Sequence, residues 1–239
     1  MNKHKTHPLK SAFGLLLRSV LRDGMLAASL LAPILCGIGF RFGVPLLIRQ
    51  FPALAALEEY KALLDALLYL LAPFMALFAA CMVTLEERDN GLCVALFTTP
   101  LGHVGYVNSR FVLPALLAAA YAAVIGTLFA SVQRPLGHAL LLALPAACVA
   151  FAAVMPIPAF ARDRITGMAL AKLCGLALFT VAAPFFMPVR WQPLLSWLPS
   201  YWFYRFLQRS DWLMAVLCAL AAALWSWPML RRFAKRAAR

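Results

Sequence analysis

Six stretches of the chain, 24–48, 62–85, 111–132, 136–159, 167–187 and 212–230, carry no more than one charged side chain apiece. A hydrocarbon core takes ~20 consecutive apolar residues of helix to cross, so the pattern predicts six membrane spans. They must be helices, because lipid offers the backbone no partners and a helix satisfies its N–H and C=O groups internally. A β-barrel would need alternating segments of ~10 residues, and runs such as "LPALLAAAYAAVIGTLFA" do not alternate.

Two stretches read differently. Within residues 1–23, Lys10, Ser11, Gly14, Arg18 and Arg22 share one wedge of a helical wheel, while Leu9, Ala12, Phe13, Leu16, Leu17 and Val20 take the other side and Leu15 and Leu21 fall out of place. That is a basic amphipathic helix suited to a membrane surface. Residues 188–211 are broken by Pro188, Pro193 and Pro199 and carry Trp191, Trp197, Tyr201, Trp202 and Tyr204. Aromatic amphiphiles favour the headgroup level, so short helices lying in or re-entering the membrane are expected there. The predicted fold is an all-α integral membrane protein in three parts: an amphipathic interfacial helix at 1–23, six transmembrane helices within 24–230, and a basic tail at 231–239. The first span is expected to stay uncleaved, because the basic region before it is long for a signal peptide and Leu35 precedes Cys36 where a lipoprotein site needs a small residue.

Composition agrees with the pattern. Of 239 residues 64% are hydrophobic and 13% charged, with a mean hydropathy of +0.83; a soluble domain carries roughly 25% charged residues. The spans leave no room for a separate soluble domain. A net charge of +13 elsewhere would raise the question of nucleic acid, but these bases sit at the ends of apolar runs and no nucleic-acid partner is expected. If the N-terminus is cytoplasmic, fifteen Lys and Arg fall on the inner side and six on the outer, with Arg41 inside the first span. The bias predicts both termini in the cytoplasm of a multi-pass protein of the inner, or plasma, membrane. The six cysteines form no Cys-x-x-Cys pair and read as free thiols, with no metal site among them.

Catalytic signatures are missing. The sequence contains no His-Glu-x-x-His, no Gly-x-Ser-x-Gly and no Gly-x-x-x-x-Gly-Lys-Ser/Thr, so neither an enzyme nor a nucleotide-binding chain is expected. All nine acids lie at or outside span ends, which leaves an ion-coupled carrier without machinery. Arg41, near the outer end of the first span, and Asp65, at the outer start of the second, are expected to face each other.

The segment "TLEERDNGL", residues 84–92, puts three of the nine acids into four positions directly after twenty uncharged residues. Charges that stop a span sliding into lipid would explain one or two of them. The next residues, "CVALFTTPLGHVGYVNSR", read as a short helix, a break at Thr98-Thr99-Pro100 and a new helix start. A span ending in Glu86, Glu87, Arg88 and Asp89, then Gly91, Ala95-Leu96, Thr99-Pro100, Tyr106 and Arg110, resembles the ABC-2 type permease pattern. The second half is similar, with a charged loop (Arg162, Asp163, Arg164), then Gly167, Lys172, Pro199 and Trp202 in the family's order. Two departures are mild: Leu92 stands where the family usually has Thr, and Arg110 where it usually has Lys.

The resemblance implies a permease subunit of an ATP-binding cassette exporter with the ABC-2 fold. It implies a permease homodimer or a heterodimer with a related permease, embedded in the lipid bilayer and working with a separate ABC ATPase subunit. No cofactor would be bound by this chain; ATP and Mg would sit on that ATPase. The region Glu86, Glu87, Arg88, Asp89, Gly91, Thr99, Pro100, Tyr106 and Arg110 would couple to the ATPase, flanked by Arg162, Asp163, Arg164 and Lys172. The helix bearing Lys10, Arg18 and Arg22 would be the family's elbow helix. The short loops look more like small-drug or antibiotic exporters, such as fluoroquinolone-type permeases, than polymer exporters. A membrane immunity or scaffold protein, binding a toxin or partner without turnover, is the alternative.

Overall fold

The computed structural model describes residues 8–97, 102–209 and 211–237, and within them every regular element is a helix. The amphipathic pattern becomes α1, Pro8–Arg22, which buries Ala12, Leu16 and Val20 and leaves Lys10, Arg18 and Arg22 exposed. Asp23 then turns the chain. Its extended backbone lets the carboxylate accept from the N–H groups of Met25 (2.9 Å) and Leu26 (3.1 Å), capping the next helix.

The first span is α2, Gly24–Ile38, continued by a π turn at Gly39–Gly43 and by α3, Val44–Gln50. The second is α4, Lys61–Asp89. Two short helices come next, α5 (Leu92–Phe97) and α6 (Gly102–Val107), and a π turn at Asn108–Val112 fuses α6 to α7, Leu113–Phe129, the third span. The fourth span is α8, Leu136–Val154, extended by the single turn α9, Pro156–Phe160. The fifth is α10, Arg164–Leu178, with α11, Ala183–Phe186. Then come α12, Pro199–Arg209, and the sixth span, α13, Trp212–Ala237. Six stretches are long and apolar enough to cross a bilayer: Gly24–Gln50, Ala56–Asp89, Val104–Phe129, Leu136–Phe160, Arg164–Phe186 and Trp212–Phe233. The chain is a multi-pass membrane protein.

Three boundaries differ from the apolar runs for a physical reason. Leu, Glu and Arg are good helix formers, so α4 continues through the charged residues to Asp89 and stops only at Asn90-Gly91. The third helical stretch likewise starts at Val104, before the apolar run at 111, which draws Tyr106 and Arg110 into it. The final helix runs on through the basic residues after 230 as far as Ala237.

α4 is the axis of the bundle. Its buried side chains, among them Ala66, Ala72, Ala79 and Ala80, meet α2, α7, α8 and α10. In lipid no hydrophobic force drives helices together, and small residues that admit close packing take its place. α2, α10 and α13 instead turn Leu31, Leu35, Leu173, Leu176, Leu220 and Leu224 outward.

α1 and the last turns of α13 lie at one end of the bundle, here the terminal face. Phe233 of α13 packs edge-on against Phe111, 5.0 Å between centroids, and Arg110 reaches the Ala12 carbonyl of α1. At the far face, fully buried Asp65 accepts from the N–H groups of Ser131 (2.7 Å) and Val132 (2.9 Å) and from Arg134 Nη1 (3.1 Å). The expected Arg41–Asp65 contact is not formed. The tight α7–α8 turn delivers three donors to the carboxylate, and Arg41 Nη1 donates instead to the Ala130 carbonyl (2.6 Å) at the open end of α7, where helix carbonyls lack partners.

The Pro- and Trp-rich stretch re-enters the membrane. The Cys218 thiol lies 3.4 Å from the Pro199 carbonyl and 3.7 Å from that of Pro145. Pro145 is nine residues into α8 and Cys218 six into α13, which puts Pro199 roughly 9–13 Å beneath the far-face ends of those helices. α12 then climbs back, and Phe206 meets His138 near the start of α8, 5.6 Å between rings.

One close approach is diagnostic. A Cβ on Gly126 would lie 2.1 Å from the Tyr69 ring, whose hydroxyl donates to the Ala139 carbonyl (3.1 Å). Gly126→Ala should displace that ring and cost about 1–3 kcal/mol, read as a fall of several degrees in the unfolding temperature of the detergent-solubilised protein.

Candidate functional site

Every charged side chain of the 86–89 segment has a partner on a different element. α4 ends there as sequence dictates: the Asn90 N–H bonds the Glu86 carbonyl (3.0 Å), and Gly91 takes φ +69°, a left-handed cap that glycine adopts without a Cβ penalty. The four charges therefore sit on the last rigid turn of the central span rather than on a loop. They make two joints.

The first joint is buried. Glu87 faces Arg110 in a two-pronged contact, Nη2 to Oε1 at 2.5 Å and Nε to Oε2 at 2.8 Å. The third guanidinium nitrogen, Nη1, donates to the Ala12 carbonyl of α1 at 2.8 Å. Tyr106 donates its hydroxyl to Glu87 Oε2 (3.2 Å) and shares a 2.9 Å contact with the Cys93 thiol of α5. The Arg110 guanidinium also lies 5.5 Å from the Tyr106 ring centroid. Burial pushes the Cys93 thiol up, so it stays protonated and neutral. Arg110 is 1% exposed and Glu87 13%. This joint binds α1, α4, α5, α6 and the π turn together, and it is the π turn that aims Arg110 inward; such turns recur at functional positions.

The second joint is more open. Arg164, the first residue of α10, donates Nη1 to Glu86 (2.9 Å), Nη2 to Asp23, and its backbone N–H to Asp89 (2.9 Å). Arg88 reaches the opposite way and donates to the carbonyls of Pro158 (3.3 Å), Ala161 (2.7 Å) and Arg162 (3.0 Å), closing the end of α9. Asp163 caps α10 by accepting from the Thr166 N–H (2.7 Å), while Thr166 Oγ1 accepts from the Asp163 N–H. The Arg164 hydrogen bond, and then the Leu26 N–H, hold the Asp23 carboxyl below the usual carboxylate range; the Thr166 N–H does the same for Asp163. Both stay ionised well into mild acid.

The predicted residues thus divide. Glu86, Glu87, Arg88, Asp89, Gly91, Tyr106, Arg110, Arg162, Asp163 and Arg164 converge on the terminal face. Thr99 and Pro100 lie outside the described residues. Lys10 and Arg18 stay on the exposed side of α1, while Arg22 joins Asp23, Glu86, Glu87 and Arg110 around a cavity of about 640 Å³ between α1, α4 and α5. Lys172 stands apart, two turns further along α10, beside an apolar groove. Sequence reading missed Asp23, which pairs with a residue 141 positions away; its acid directly before a long apolar run was the available signal. The Ala12 carbonyl carried no signal, because any residue type supplies one.

A family model described as fluoroquinolones export permease protein Rv2686c-like matches residues 16–230. The chain belongs to that family. No curated protein matches it. A permease role is thereby established, and the matched region takes in five of the six spans whole, the sixth as far as residue 230, and the charged side chains of both joints.

The two joints should respond differently to truncation. Glu87→Ala strands a buried guanidinium and should cost about 3–5 kcal/mol. Glu86→Ala, at a side chain 48% exposed, should cost less than about 1 kcal/mol. Thermal unfolding of the two variants in the same detergent checks the contrast.

Proposed function

We propose that this permease is the membrane subunit of an ATP-binding cassette exporter, driven by ATP that is hydrolysed, with Mg bound beside it, on a separate ABC ATPase that docks at the terminal face. The observation that carries this reading is the Glu87–Arg110 joint. A load applied to α5 and α6 passes through Tyr106, Arg110 and Glu87 directly into α4, the helix against which α2, α7, α8 and α10 pack. A loop held by screened surface charges would dissipate that load; a desolvated two-pronged pair moves as one body. Leu92 and Val104, 50% and 74% exposed, give the loop an apolar contact surface. The excess of Lys and Arg on this face supports its assignment to the cytoplasm of the inner membrane, with both termini inside.

The substrate's path, in this reading, is the groove of about 630 Å³ between α2, α4 and α10, lined by Met25, Phe74, Met75, Phe78 and Met168. That size and lining suit a small amphipathic drug or antibiotic. A second permease copy, or a related permease, would complete the path and cover the exposed backbone at the re-entrant tip, since irregular backbone at membrane depth needs protein or a water-filled cavity beside it.

Co-expression with an ABC ATPase encoded beside it should give a complex that co-purifies and hydrolyses ATP, and failure to associate would sink the reading. Val104→Glu, at a side chain with little packing to lose, should abolish association and ATP-dependent export while leaving the unfolding temperature within about a degree. Export that persists in this variant would remove α6 from the docking surface.

A further inference from the structure

A small cavity at the far face belongs to neither joint. It measures about 180 Å³ and lies where the π turn of span one meets the end of α7 and the start of α8, with Arg41, Gln133, Arg134 and Leu136 in its wall. Each guanidinium spends one nitrogen inside the chain: Arg41 Nη1 donates to the Ala130 carbonyl and Arg134 Nη1 to Asp65. Their other nitrogens have no partner among the described residues. Two cationic groups therefore stand against one carboxylate, with Asp65 fully buried and Arg134 nine-tenths buried. One positive charge is left over, and the cavity wall contains no acid. The start of α8 reinforces it, because that helix follows Pro135 without a side-chain cap and first-turn amides favour an anion. The opposing carbonyl end of α7 is met at Ala130 by Arg41 itself.

We propose that this cavity binds the phosphodiester of an anionic phospholipid through the remaining N–H groups of Arg41 and Arg134, bridging span one to the α7–α8 turn. Depth selects the source of the phosphate. The third span ends at Phe129 and the fourth begins at Leu136, so the cavity sits at the level of lipid headgroups, where phosphodiesters are concentrated in either leaflet. Charge and shape select the group. A phosphodiester carries the single negative charge that is missing here, and guanidinium forks match paired phosphate oxygens. The cavity is too small for a drug-sized molecule, which takes ~300 Å³ or more, yet it has room for a phosphate whose acyl chains run outside past the exposed Phe42 and Leu136. A zwitterionic headgroup would bring an ammonium that finds no open acid, since Asp65 is closed off, so the anionic phospholipid is preferred.

The test uses the full chain in nanodiscs of mixed phosphatidylglycerol and phosphatidylcholine, with a photoactivatable diazirine beside the headgroup of one lipid or the other, and labelled peptides are counted by mass spectrometry. The phosphatidylglycerol probe should label peptides within 126–140 several-fold more than the phosphatidylcholine probe does. Arg41→Gln should lower that labelling about 5-fold, as should Gln133→Glu, which sets a carboxylate in the wall at an exposed position. Arg41→Lys should keep it within about 2-fold of the unaltered chain. Labelling of α1, whose bases meet lipid elsewhere, should be the same in all variants. Arg134 is left in place because its removal would strand Asp65. Should Arg41→Gln lower the unfolding temperature, Gln133→Glu carries the test, since it removes no contact of the fold. Equal labelling by the two probes, labelling unchanged by Gln133→Glu, or a matching loss on α1 overturns the proposal. Loss of the label from the unaltered chain on adding excess inorganic phosphate assigns the cavity to the free ion and also overturns it.

Discussion

A carboxylate and a guanidinium that are both withdrawn from water must find each other, because either one alone in the interior costs several kcal/mol. In this permease that requirement falls on Glu87 and Arg110, 23 residues apart in sequence, and it fixes the geometry of the terminal face. Glu87 is positioned because α4 stays helical to Asp89. Arg110 is positioned because a π turn interrupts the helix that begins at Gly102. The remaining donor of Arg110 goes to the Ala12 carbonyl, so the surface helix α1 is held by its backbone rather than by its basic side chains. Those bases stay free to meet a membrane surface.

Around this buried pair the exposed joint plays a different part. Arg164 gathers Asp23, Glu86 and Asp89, drawing the starts of α2 and α10 to the end of α4, and Arg88 closes α9 from the other direction. These contacts are partly solvated and weaken with salt. A bundle whose central helix is locked to α5 and α6 by a buried pair, but joined to the starts of α2 and α10 by weaker polar links, can let spans one and five shift against α4 more readily than it can part α4 from α6. The groove lies between those same three helices, so rearrangement of the second joint would change its width directly.

The far face is organised differently. Asp65 commits its lone pairs to the α7–α8 turn, and the re-entrant stretch ending in α12 brings Pro199 and Ser200 well below that surface. Neither arrangement contributes charge to the interior of the bundle.

Much of this was legible along the chain. The six spans, the amphipathic first helix and the re-entering aromatic stretch followed from period, length and the place of proline, because lipid permits so few backbone conformations. The cluster at 86–89 could be picked out as unusual for its position, but its partners could not. Glu87 and Arg110 are separated by two short helices, Asp23 and Arg164 by most of the protein, and the Arg41–Asp65 pairing that proximity to the far face suggested gave way to a turn that offered Asp65 better donors. The sequence by itself determined which segments cross the membrane and where charge may stand, since those depend on local composition against a uniform solvent. Which charge meets which was decided only by tertiary structure, because helix rotation, a π turn and the direction of a backbone carbonyl are set by packing among segments that sequence distance does not relate.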